Sequence, residues 1–83
     1  MQEKERDLRS FPEIWGTLTK DKRDDVFIQL IKDGCTTSRQ TVWNWASGKW
    51  QPRTRAMKNV VAASVAKATG LRVYGTSLFP AQQ

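Results

Sequence analysis

Residues 37–52, TSRQTVWNWASGKWQP, decide the fold because they contain one short amphipathic helix with its own start and stop signals. Thr37 or Ser38 can cap the helix, and Thr37 with Gln40 has the spacing of a capping box. The Ser-Gly-Lys sequence that follows contains a glycine, the residue that most often ends a helix. The stretch therefore predicts a helix over 38–47.

The predicted helix has two different faces. At about 100° per residue, Arg39, Gln40 and Asn44 fall on one arc, and Val42 and Trp45 fall on the opposite, core-facing arc. Arginine, glutamine and asparagine can make paired hydrogen bonds to guanine or adenine edges in the major groove. The pattern favours a helix that reads DNA bases with these three polar side chains. The alternative is that the three form an ordinary solvated face.

The charge of the chain is distributed unevenly. The net charge is +6, residues 1–33 hold all eight acidic side chains, and residues 34–83 hold seven basic and no acidic ones. Such asymmetry indicates a polyanionic partner for the second half. A basic face kept only for solubility is the alternative.

Basic side chains cluster just after the predicted helix. They are Lys49, Arg53, Arg55 and Lys58. Lysine and arginine beside a reading helix typically bind backbone phosphates, which positions a protein without specifying sequence. A solvated loop and helix start would use the same residues.

Two tryptophans, Trp43 within the predicted helix and Trp50 after it, each have two alternative environments. Trp43 falls on the polar arc, where a large aromatic side chain suggests contact with DNA or a protein partner. It could instead pack sideways on Trp50 or on the next helix. Trp50 either covers the core or stacks near the DNA backbone.

Three further helices are predicted from capping residues, apolar spacing and glycine stops. They cover 11–18, 20–33, and the stretch from Thr54 to about Thr69. The fold class is therefore all-α, with four helices in one domain. The organisation is a flexible N-terminus over 1–9, the helical domain over 10–70 and a C-terminal tail over 71–83.

The tail, LRVYGTSLFPAQQ, leaves two structures open. Its weak alternation of apolar residues suits a short strand, whereas Leu-Phe-Pro suits a hydrophobic clip that folds back on the core. Small DNA-binding modules usually act as dimers on two half-sites. Residues 71–79 are the candidate homodimer element, either by strand pairing or by exchange of Phe79.

Several function classes are disfavoured by what the sequence lacks. Cys35 is the only cysteine and there is no histidine, so an internal disulfide and imidazole chemistry are excluded. We find no nucleophile–base pair, metal-ligand cluster or phosphate-binding glycine loop, and expect neither an enzyme nor a cofactor. No apolar run approaches the roughly 20 residues that span a bilayer, and the N-terminus lacks a secretory signal. We therefore expect a cytoplasmic protein without a membrane partner.

The string SRQTVWNW followed by Ser-Gly-Lys and a proline resembles the Cro/CI-type (XRE) helix-turn-helix family of bacteria and phages. The resemblance covers residues 37–52 closely and implies a lambda-repressor-like fold of four helices. It implies base contacts from Arg39, Gln40 and Asn44. It also implies backbone contacts from Ser38, Thr41 and Lys49. The segment 34–38 is longer and more polar than the family's turn.

Together these patterns predict a sequence-specific double-stranded DNA-binding transcriptional regulator. Two other functions stay open for the same fold. An RNA-binding or single-strand-binding module would use the tryptophans as stacking platforms. A protein-interaction module, such as an antitoxin-like one, would show no salt-dependent binding to duplex DNA.

Overall fold

Five α-helices and no strand form in the residues that the structure describes, 7–36 and 38–80. This computed structural model gives α1 (Phe11–Thr17), α2 (Lys20–Lys32), α3 (Arg39–Ala46), α4 (Arg55–Thr69) and α5 (Gly75–Leu78). The described chain is therefore all-α, as the sequence predicts. None of these helices combines the length and apolar character that a membrane crossing requires.

Three of the helices begin at a hydroxyl side chain that caps them. The hydroxyl groups of Thr19, Ser38 and Thr54 each accept a backbone N–H from the first turn of the following helix. Ser38 is thus one of the two predicted caps of α3; the other, Thr37, lies outside the described residues. At the opposite ends, the glycines after α2, α3 and α4 have φ of 77°, 79° and 76°, a left-handed conformation that stops a helix.

Aromatic rings from distant parts of the chain form the centre of the core. The ring of Phe11 stacks on that of Phe79 with 5.5 Å between centroids, and Trp45 of α3 meets both rings edge-on at 6.3 and 6.0 Å. Packing joins α1 to α3 and α5, whereas α2 packs on α4. The buried face of α3 is therefore fixed chiefly by α1 and the tail.

The tail forms a clip and not a strand. Residues 75–78 make the short helix α5, and Val73, Leu78 and Phe79 are buried in the same core as the other helices. Of the two structures that the sequence leaves open, the strand does not form in the described residues and the hydrophobic clip is confirmed. A Cβ at Gly75 would stand 2.6 Å from the Asn59 Oδ1, so glycine is what lets α5 approach α4 this closely.

The N-terminal end of the described chain is hydrogen-bonded to the C-terminal tail. The backbone N–H of Asp7 donates to the Arg72 carbonyl at 2.8 Å, and Arg9 forms an ion pair with Asp7 at 2.8 Å. Residues 1–6 of the predicted flexible N-terminus, and residues 81–83 of the predicted tail, lie outside the described residues. A homodimer through residues 71–79 stays a prediction, and exchanging Phe79 would require its removal from this core.

Candidate nucleic-acid interface

Three exposed side chains share one face of α3. They are Arg39, Gln40 and Trp43. The Arg39 side chain is 69% exposed and Trp43 is 57% exposed, while Val42 and Trp45 on the other face are buried. These three side chains can therefore contact a partner without rearrangement of the core.

Asn44 does not belong to this exposed face. Only 7% of the residue is exposed, so the expectation that it lies on the exposed arc with Arg39 and Gln40 is wrong. The loop after α3 turns back over the helix end, where the backbone N–H groups of Lys49 and Trp50 donate to the Asn44 carbonyl at 3.1 and 3.3 Å. The Gln40 side-chain amide donates to the Asn44 Oδ1 at 3.2 Å. The side chain of Asn44 therefore orients the side-chain amide of Gln40 through this hydrogen bond.

Arg39 is held by two residues of α2. Its Nη1 lies 3.4 Å from the Asp24 Oδ1, and its guanidinium carbon lies 4.3 Å from the centroid of the Phe27 ring. The first contact is an exposed ion pair and the second is a cation–π contact. The arginine thus has a defined resting position between α2 and α3.

The N-terminal turn of α3 contains the two hydroxyl residues that the family resemblance assigns to the DNA backbone. Ser38 is exposed, and its hydroxyl accepts the backbone N–H of Gln40 at 3.2 Å. Thr41 is half-buried. Ser38 therefore acts as a cap, and a phosphate contact from either residue stays a prediction.

The predicted phosphate-binding cations lie in the loop after α3 and at the start of α4. Lys49, Arg53 and Arg55 are exposed, and among the described residues none of them forms an ion pair. Lys58 is half-buried, and its Nζ donates to the Phe79 carbonyl at 3.4 Å. Lys49 and Arg53 line one open cleft, whereas Arg55 lines another together with Lys58.

Trp50 lies in the same loop and does not cover the core. It is 62% exposed and lines an open cleft of about 430 Å³ together with Lys49 and Arg53. Within the described ranges, neither Trp50 nor Trp43 pairs with another aromatic ring. Both indoles are therefore available to a partner.

A second open cleft, of about 390 Å³, lies between α2 and α3. Its walls include Trp15 and Phe27 as well as the Arg39, Gln40 and Trp43 side chains of the exposed face. No three potential metal ligands come together in the described part of the chain. The chemistry available here is hydrogen bonding by arginine and glutamine, stacking by indoles, and attraction of anions.

Comparison with family models, curated proteins and solved structures finds no match. Membership of the Cro/CI-type family therefore stays a prediction from residues 37–52.

Two residues of the site escape prediction from the sequence. Asp24 and Phe27 lie on α2, and neither is among the residues that the sequence assigns to the interface. Both contact Arg39, which lies on a different helix. The only sequence signal for this contact is that an acidic residue and an arginine occur on the two helices that flank one turn.

Proposed function

We propose that this protein is a sequence-specific double-stranded DNA-binding transcriptional regulator and that α3 enters the major groove. The observation that carries the proposal is the exposed group of Arg39, Gln40 and Trp43 on one face of α3, a helix that three exposed cations follow in the chain. An α-helix with its side chains is about 10–12 Å across, which fits the width of the major groove, about 12 Å. The fold is then used as a helix-turn-helix, with α2 and α3 as its two helices.

Arg39 and Gln40 are the base-reading residues in this proposal. The guanidinium can donate to both acceptors of a guanine, and the Gln40 amide can pair with an adenine. Trp43 lies between them on the helix surface and offers an apolar contact to a thymine methyl group. Asn44 has no base contact; it holds the amide of Gln40.

The cations next to α3 supply affinity without sequence preference. Lys49, Arg53 and Arg55 are exposed and free of acidic partners among the described residues. With Lys58 they would neutralise about four phosphates per chain, which gives a slope of about −3.6 for log affinity against log salt. Phosphate contacts fix the orientation of α3, and base contacts fix the sequence.

A single-strand-binding or RNA-binding function is the second candidate. The exposed indoles of Trp43 and Trp50 favour it, because aromatic side chains stack on unpaired bases. Stacking of this kind tolerates many sequences. It therefore leaves the arginine and glutamine of α3 without a defined role.

Selection of bound duplexes from a random pool, at near-physiological salt, tests the proposal. The expected result is a shared motif of a few base pairs, and competition in which the selected duplex displaces single strands of the same sequence. Absence of any motif would contradict sequence-specific reading. Preference for single strands would favour the second candidate, and lack of salt-dependent binding to any nucleic acid would favour a protein-interaction module.

A further inference from the structure

The contact between Asp24 and Arg39 joins two helices across the turn that separates them. The Asp24 Oδ1 lies 3.4 Å from the Arg39 Nη1, and the residues are 15 apart in the chain. On the other side, the Arg39 guanidinium carbon lies 4.3 Å from the ring centroid of Phe27. Phe27 is only 8% exposed, so its ring belongs to the core. The guanidinium therefore lies between a carboxylate and a buried aromatic ring.

A carboxylate beside the exposed face of α3 does not strengthen binding to DNA. The Asp24 side chain is 42% exposed, next to an arginine on the face that would meet DNA. There its charge repels phosphates. An exposed ion pair of this kind also contributes little to folding stability, from zero to about 1 kcal/mol. The position of Asp24 calls for another explanation.

Arginine has a long side chain, and ordering it on DNA costs conformational entropy. Contacts that hold it before binding reduce this cost. Asp24 occupies one N–H of a guanidinium that has five, so donors remain for a guanine. An arginine without this contact would be free to bind any nearby phosphate, which strengthens binding to every sequence.

We propose that Asp24 is a specificity-determining residue that positions Arg39 against Phe27, so that the guanidinium addresses a guanine and not the nearest phosphate. This inference rests on the proposed function. It assigns to Asp24 an effect on discrimination between sequences and no direct contact with a base.

The test measures affinities of the wild type and of Asp24→Asn for the selected duplex and for an unrelated duplex. Asp25→Asn is the matched control, because Asp25 is the adjacent exposed residue of α2 and forms no ion pair among the described residues. Loss of one negative charge should strengthen binding of the control to both duplexes equally. For Asp24→Asn, binding to the unrelated duplex should strengthen more, so that the ratio of the two affinities falls about three- to fivefold.

Two further readouts separate positioning from a general charge effect. The preference of Asp24→Asn should relax at the one base pair that Arg39→Ala also relaxes. In the Arg39→Ala background, Asp24→Asn should change the affinity ratio no more than Asp25→Asn does. Thermal unfolding of each variant checks that the fold is retained.

The outcomes distinguish this inference from the proposed function. An unchanged affinity ratio in Asp24→Asn, with a wild type that selects a motif, would overturn the role of Asp24 alone. An equal change in the affinity ratio in Asp24→Asn and Asp25→Asn would overturn the role of Asp24 as well. A wild type that binds all duplexes equally would overturn both proposals.

Discussion

The rings of Phe11 and Phe79 stack with centroids 5.5 Å apart and an angle of 19° between their planes. Both residues are 2% exposed, and Trp45 of α3 packs edge-on against each. The two ends of the described chain therefore meet directly beneath α3. The position of the exposed face of α3 depends on this cluster.

Phe79→Ala should destabilise the fold by about 3–5 kcal/mol, because it leaves a cavity in the aromatic core. Denaturant unfolding followed by tryptophan fluorescence measures the loss. Trp50→Ala is the control, since Trp50 is 62% exposed and its removal should change stability by about 0.5 kcal/mol or less. If Phe79→Ala and Trp50→Ala lowered the free energy of unfolding equally, the burial of Phe79 in the core would be contradicted.

Asn44→Ala should destabilise the fold by about 1 kcal/mol, because Asn44 is buried and accepts a hydrogen bond from Gln40. Gln40→Ala leaves the Oδ1 of the buried Asn44 without this donor and should therefore cost at least as much. Denaturant unfolding of both variants and of the double variant gives the coupling between them. If Asn44 were a solvated residue, both single variants would unfold like the wild type.

The stability of the protein should depend on pH through Asp33, which joins α2 to α4. Its carboxylate accepts hydrogen bonds from the Ser64 hydroxyl at 2.6 Å and from the Gln29 amide at 3.1 Å, with the Lys67 Nζ at 3.6 Å. These groups, Ser64 most strongly, lower the pKa of Asp33 below its ordinary value of 3.8. Stability from the charged carboxylate is thus present above pH 3.8 and lost as the pH falls through the lowered pKa.

Ser64→Ala tests this dependence. The pKa of Asp33 should rise toward its ordinary value, so the variant should be less stable than the wild type at pH 7. The difference in the free energy of unfolding should narrow as the pH falls below 3.8. The pKa of Asp7 is also lowered, by Arg9, but Asp7 is common to both proteins and cancels in the comparison. A difference that stays constant down to pH 2 would show that Ser64 acts through packing alone.

Arg39→Ala and Lys49→Ala should weaken DNA binding in different ways. Loss of Arg39 should cost about 1–3 kcal/mol at the selected duplex and relax preference at one base pair. Loss of Lys49 should weaken binding to all duplexes alike and reduce the salt slope by about 1. Fluorescence anisotropy over a range of salt concentrations separates the two. Identical effects on selected and unrelated duplexes from both variants would contradict base reading by Arg39.

The first four helices could be predicted because their signals are local. Thr19 and Thr54 cap the helices that they precede, and Gly34, Gly48 and Gly70 have the left-handed conformation expected of helix stops. Capping and backbone preferences act within a single turn. They can therefore be recognised without knowledge of the tertiary structure.

The structure of the tail could not be predicted from such local signals. A helix of four residues, 75–78, is too short to show a periodic apolar pattern, and it begins with Gly75, a poor helix former. Its stability comes from the packing of Leu78 and Phe79 in the core and from the close approach to α4 that Gly75 permits. These are tertiary interactions, which the sequence does not show. The sequence therefore left a strand and a clip as alternatives.

The candidate site was predictable only in part, for a related reason. Helical periodicity is enough to place Arg39, Gln40 and Trp43 on one face. Asn44 lies at the edge of the same arc, and its burial depends on the path of the loop after α3, which periodicity does not specify. The contact of Arg39 with Asp24 depends likewise on how α2 and α3 meet.

Titration of the protein with the selected duplex, followed by the four indole N–H resonances and the backbone amides in NMR spectra, tests most directly whether the exposed face of α3 binds DNA. Trp43→Phe assigns the Trp43 signal. The account predicts the largest shifts at the Trp43 indole and at the amides of Arg39 and Gln40, with smaller shifts at the Trp15 and Trp45 indoles. Shifts concentrated on α4 and α5, or no shifts with any duplex, would contradict it.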